Sequence, residues 1–124
     1  MSGLTDKKTI GVTDAMRGAL EDLTKRGAFN EQLDSARFAV ALAVDSGVAP
    51  GSVEGAGTIW NIGSFDPDGS MAKMITILYP DTVAPYRTLE SLLDQGLKLY
   101  ASMIECDSTL TVASILRRQE QPQE

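Results

Sequence analysis

The chain has 124 residues, with 11 Lys+Arg against 17 Asp+Glu, no histidine and a formal charge of −6. Without histidine there is no Ser-His-Asp or Cys-His nucleophile, no imidazole ligand for zinc or iron, and no side chain that ordinarily titrates near neutrality. A single cysteine, Cys106, excludes an internal disulfide and a zinc ribbon, and the acidic total argues against indiscriminate coating of nucleic acid, whose non-specific affinity comes from phosphate neutralisation.

At 43% hydrophobic the chain is ordinary globular protein with enough residues for one real core, so a single domain over 1–124 is expected. The charged start has no apolar h-region, and the longest apolar run, Phe38 to Val44, is far shorter than the roughly 18 residues that cross a bilayer. A cytoplasmic protein without membrane contact is expected, and an unpaired cysteine fits a reducing compartment.

In chain order, Lys7-Lys8-Thr9-Ile10-Gly11-Val12 alternates and is β-branched, which predicts a short strand with Lys8, Ile10 and Val12 on one face and Lys7, Thr9 and Gly11 on the other. Thr13 then caps a helix over Asp14–Arg26, with Met16, Leu20 and Leu23 at helical spacing, a basic last turn, and Gly27 at the position after the cap. Asn30 caps a second helix to about residue 46, stopped by Gly47. Its run Ala36 to Val44 is apolar nearly all round. A helix apolar on every side must be buried on every side, and in so small a chain a second subunit is the expected cover. That makes the chain a homodimer or higher homo-oligomer, with Phe38, Ala41 and Leu42 among the interface residues.

Residues 48–69 read as a Gly/Pro-rich connector holding a short extended segment, Thr58-Ile59-Trp60-Asn61-Ile62, with Trp60 a core plug in preference to an interface anchor. Asp66-Pro67-Asp68-Gly69 turns the chain. The turn is not an EF-hand, because the twelfth residue from Asp66 is Ile77 and not a bidentate Glu. Ser70 caps a short helix ended by Pro80, and Pro85 opens the longest helix, to about residue 105, along a stripe from Tyr86 to Ile104. Asp107 or Ser108 caps a last stretch through Leu116. Residues 119–124 read as a polar tail. Met16, Met71, Met74 and Met103 sit at core-like spacings. Tyr79, Tyr86 and Tyr100 are the candidate phosphodiester nucleophiles, but nothing near them in sequence supplies an activating base. No catalytic residues, metal ligands or cofactor are expected, and the chain reads as a non-enzyme.

The order strand, capped helix, glycine turn, capped apolar helix over 1–47 resembles the ribbon-helix-helix family. That resemblance implies a mainly α fold with one or two short strands, a dimerising half, and a helical extension over 70–118. It also implies two strands paired across a dimer in the DNA major groove, with Ile10 and Val12 at the oligomer interface. Lys7, Lys8 and Thr9 would meet DNA, and the helix start at Asn30 would hold a phosphate. Arg37 would orient the second helix or pair across the dimer. Gly11 brings no base-reading side chain, and Glu31 and Asp34 put carboxylates on the turn that would meet phosphate.

Over the whole chain, the Ala43-Val44-Asp45-Ser46-Gly47 exit, the Asp66-Pro67-Asp68-Gly69 turn and Leu92-Leu93-Asp94-Gln95-Gly96-Leu97 resemble the small DndE-type proteins of bacterial DNA phosphorothioation systems. This implies an oligomeric, non-enzymatic DNA-associated protein, a regulator or an accessory subunit of a modification or defence system. The alternative is an acidic homo-oligomeric assembly subunit that binds a protein partner without touching DNA. Charges balance through Arg37 and the entire −6 lies beyond it, so the acidic C-terminal half is the candidate surface for a protein partner.

Overall fold

The computed structural model describes residues 6–120. The first strand, β1 (Thr9–Thr13), runs directly into α1 (Asp14–Arg26). Asp14 in the first turn and Lys25 and Arg26 in the last complement the helix dipole. Gly27 ends α1 in an ordinary helical conformation, and the left-handed residue is Ala28, at φ 53°. The glycine serves space instead. A Cβ on Gly27 would lie 2.4 Å from a Phe29 ring carbon and 2.9 Å from a Val112 methyl.

Helix α2 (Gln32–Asp45) is capped at Glu31, one residue later than the expected Asn30, and no side chain makes a capping hydrogen bond there. Its buried residues, Ser35, Ala36, Ala39, Val40, Leu42 and Ala43, are mostly small. They admit α5 (Pro85–Cys106) to close range, and α2 and α5 make the most extensive helix–helix contact among the described residues. Along α5, Leu89, Leu92, Leu93, Leu97 and Tyr100 complete that core.

The short extended segment expected within the connector at Thr58–Ile62 forms as β2 (Ala56–Asn61), begun two residues earlier among the glycines, and it lies antiparallel to β1. The ladder pairs Ile10 with Trp60 and Val12 with Gly57, with a bulge between Ile10 and Gly11. Gly11 is buried here, since its Cβ would come within 2.2 Å of the Gly57 carbonyl oxygen. Residues 62–65, expected partly as strand, form the single-turn α3 (Ile62–Phe65), capped by Asn61 Oδ1 accepting from the Ser64 N–H at 2.8 Å. Trp60 is half-buried with its ring 5.4 Å from that of Phe65, so Phe65, wholly buried, is the plug and Trp60 its lid.

Gly69, at φ 74°, turns the chain into α4 (Ser70–Leu78), which buries Ile75. The last helix, α6 (Val112–Glu120), begins where Thr111 Oγ1 accepts from the Ser114 N–H at 3.1 Å. The expected caps lie earlier, and Asp107 instead accepts from Thr109 and closes the preceding turn. α6 runs through Gln119 and Glu120, assigned above to a tail, and residues 121–124 of that tail lie outside the described residues. Among the described residues the architecture is mainly helical with one two-stranded antiparallel sheet. The N-terminal segment, the connector and the helical extension share one core, running from Ile10 and Val12 through Phe65 to Ile115.

Candidate functional site

β1 pairs with β2 of the same chain, whereas the ribbon-helix-helix pattern sets two β1 strands of different chains side by side. Ile10 and Val12, expected at an oligomer interface, are 0% and 3% exposed within one chain. Nor is the other edge of β1 fully open. The Gly11 N–H donates to Glu90 Oε2 at 2.9 Å, and Glu90 Oε1 holds Lys7 Nζ at 3.1 Å. Glu90 is buried, so a strand adding here would have to displace a buried carboxylate and strand its charge.

The four expected DNA contacts therefore do not form one surface of free donors. Lys7 is committed to Glu90, and the Thr9 hydroxyl accepts from that of Thr58 at 3.2 Å. Lys8 is exposed. Asn30 is exposed before the start of α2, where Asp34 occupies the first turn and Glu31 the cap; two carboxylates there oppose a phosphate. Arg37 turns inward, its Nη2 donating to the Phe65 carbonyl at 3.0 Å, and so joins α2 to α3.

Two carboxylate hubs do structural work that the sequence did not reveal. Asp66, buried in the Asp-Pro-Asp-Gly turn, accepts from the backbone N–H groups of Met71 and Ala72, each at 3.0 Å, and from the Tyr86 hydroxyl at 2.8 Å. Both its oxygens are engaged by donors, which fixes the turn to the first turn of α4 and to α5. Asp22 accepts from the Tyr100 hydroxyl and from Arg26 Nε at 3.1 Å, while Arg26 Nη1 donates to the Ser108 carbonyl at 2.8 Å. This network ties α1 to the chain between α5 and α6.

Burial, then the hydrogen bond to Asp22, pushes the Tyr100 phenol up to about 12. Burial, then the bond to Asp66, does the same for Tyr86, also to about 12. A phenol poised to attack a phosphodiester needs the opposite shift. The unfolded phenols ionise near about 10 while the folded ones keep their protons to higher pH, so this contribution is complete below about pH 10 and lost as pH rises toward about 12. The thermal midpoint is expected to fall over that interval, and less steeply in Tyr100→Phe. A midpoint flat to about pH 11 would count against buried, carboxylate-bound phenols. Asp22 acts at the other end. Held below 3.8 by Arg26 first and Tyr100 second, its contribution is present above that pH and lost as pH falls through its lowered value.

The remaining feature is apolar. α2 keeps one side open, with Ala41 exposed and Phe38 and Val44 half-buried. With Leu42 and Asp45 of α2, Met74 of α4, and Ile115 and Leu116 of α6, they line a cleft of about 480 Å³. Phe38, Ala41 and Leu42, expected at an oligomer interface, thus fall together on this cleft, although Leu42 is itself buried. Met74, read from its spacing as core, is 39% exposed, and Ile77 beside it is 77% exposed. A second, polar cleft beside Arg37 is lined by Asp66, Pro67, Asp68 and Ser70, where Asp66 and Arg37 already have partners. No group of three or more potential metal-ligating side chains occurs among the described residues, and no helix there is long and apolar enough to cross a membrane.

No family model, curated protein or solved structure matches the chain.

Proposed function

We propose that this chain is a non-catalytic, self-associating assembly subunit that acts through protein surfaces and does not read DNA. The observation that carries this is where the exposed large apolar side chains fall. Met74, Ile77, Leu78, Val83 and Leu116 all belong to α4, the loop after it, and α6, and Met74 and Leu116 border the apolar cleft. Scattered exposed apolar residues need no explanation, whereas a concentration around an apolar cleft is what interaction surfaces present. On the opposite account, the strand that would enter a groove is buried on Ile10, Gly11 and Val12 and has one of its lysines neutralised by Glu90.

The test pairs two measurements on the full chain. Sedimentation velocity is expected to give a species heavier than the 13.3 kDa chain. Fluorescence anisotropy with duplex, nicked and single-stranded DNA is expected to show no binding at about 50 mM salt, where phosphate contacts are strongest. Binding that weakens steeply with added salt would overturn this reading and return Lys8 and its neighbours to a DNA surface.

A further inference from the structure

The α2/α4/α6 face has two parts of opposite shape. One is the cleft between Phe38, Ala41 and Val44 on α2 and Leu116 on α6. The other is the α4 wall of that cleft, where Met74 lines the cleft and Ile77 and Leu78, at i+3 and i+4 from it, continue an exposed apolar row, the ridge, beyond its rim. A surface holding both a ridge and a groove is self-complementary: a two-fold axis through it puts each ridge into the other copy's groove, residue i meeting j and j meeting i.

Charge selects the same occupant. Asp45 lines the cleft and Lys73 sits on the ridge next to Met74; both are exposed, neither makes an ion pair within 4.0 Å among the described residues, and Lys73 acts only as one of the weaker charges on Asp68. Two copies of a chain carrying −6 repel one another, so a face on which acid is balanced by base is favoured for their contact. Here Asp45 is offset by Lys73 and by Arg117, which follows Leu116 and is exposed. A strongly basic partner would be drawn to the acidic excess elsewhere.

Building on the self-association proposed above, we infer that the chain forms a two-fold dimer in which the Met74–Ile77 ridge of each copy enters the α2/α6 cleft of the other, with Lys73 facing the partner's Asp45. The ion pair then occurs twice per dimer, so each single charge reversal creates two like-charge contacts.

Sedimentation velocity of the full chain over micromolar to submillimolar concentrations tests this. The unaltered protein is expected to reach twice the 13.3 kDa chain mass. Lys73→Glu and Asp45→Lys should each raise the dimer dissociation constant about tenfold, and the combined swap should return it to within about threefold of the starting value. Lys8→Glu makes the same charge change beside β1 and should leave the constant where it was. Met74→Asp should leave only monomer, and because these positions are exposed, circular dichroism should show the fold intact in every variant. A chain that stays monomeric throughout overturns both the dimer and the self-association it rests on. A dimer indifferent to the charge swaps and to Met74→Asp overturns this pairing alone and leaves self-association standing through another face.

Discussion

Gly96→Ala is expected to lower the unfolding free energy by about 3 kcal/mol, the upper end of what overpacking usually does. A Cβ at Gly96 would lie 1.9 Å from the Ala39 carbonyl oxygen and 2.5 Å from its carbon. Those atoms are the backbone of α2 and have no rotamer by which to move aside. The methyl group can be housed only if α2 and α5 separate, and separation opens voids around Ala36, Val40, Leu93 and Leu97, all buried at this contact or next to it. Gly18 supplies the control. It is exposed on α1 with nothing within 4 Å of its ideal Cβ, so Gly18→Ala should stabilise by about 0.5 to 1 kcal/mol through helix propensity alone. Urea midpoints of the two variants should therefore move in opposite directions. If they move together, the approach of α5 to Ala39 is not as close as described.

The same pair of glycines shows where a sequence stops being informative. Both sit inside regular helical patterns, and only the neighbouring helix distinguishes them. Local signals placed α1 to the residue, because an acidic first turn, a 3.6-residue apolar period and a basic end are all properties of contiguous residues. They also placed the start of α5 at Pro85. Strand pairing is not local. The residue types at 58–62 mark an extended segment, but nothing local tells that Ala56–Asn61 pairs with Thr9–Thr13 across more than 40 intervening residues. Gly11 is held to glycine by the Gly57 carbonyl oxygen, 2.2 Å from where its Cβ would sit, and a Cβ on Gly57 would itself meet Arg17 Nη2 at 2.7 Å.

The helix expected between Ser70 and Pro80 forms as α4, and what differs is that Met74, read as core, is exposed. In Met71-Ala72-Lys73-Met74-Ile75-Thr76-Ile77-Leu78 the apolar residues cover more than half of the helix surface, with Lys73 and Thr76 on the remaining side, whereas the 38–44 run is apolar all round. One side is taken up by Ile75 in the core, which leaves Met74, Ile77 and Leu78 facing outward. A wide apolar face is legible in the sequence, whereas which part of it stays open is set by the core it packs against. Buried carboxylates such as Glu90 gave no such signal, because on a helix with many leucines a glutamate reads as a solvated position until the strand it serves is in place.

Asp66→Ala is the second large expected effect, about 3 kcal/mol, since it removes hydrogen bonds to a charged acceptor and leaves their donors unpaired. Met71 and Ala72 would lose the acceptor for their N–H groups in the first turn of α4, and the Tyr86 hydroxyl would lose its partner at the start of α5. Asp68 lies two residues away but is exposed and accepts only from Ser70 among backbone donors, so Asp68→Ala should fall within about 1 kcal/mol, as for an exposed helix cap. Tyr86→Phe separates the two roles of Asp66, because it removes the phenol and keeps the cap. Asp66→Ala should exceed Tyr86→Phe in stability loss, and backbone amide exchange should speed up over residues 71–78 only in Asp66→Ala. Because Met74, Ile77 and Leu78 project from that turn-anchored helix, its fraying should also weaken self-association. If exchange over 71–78 is unchanged in Asp66→Ala, the turn does not hold α4, and the ridge needs no carboxylate beneath it.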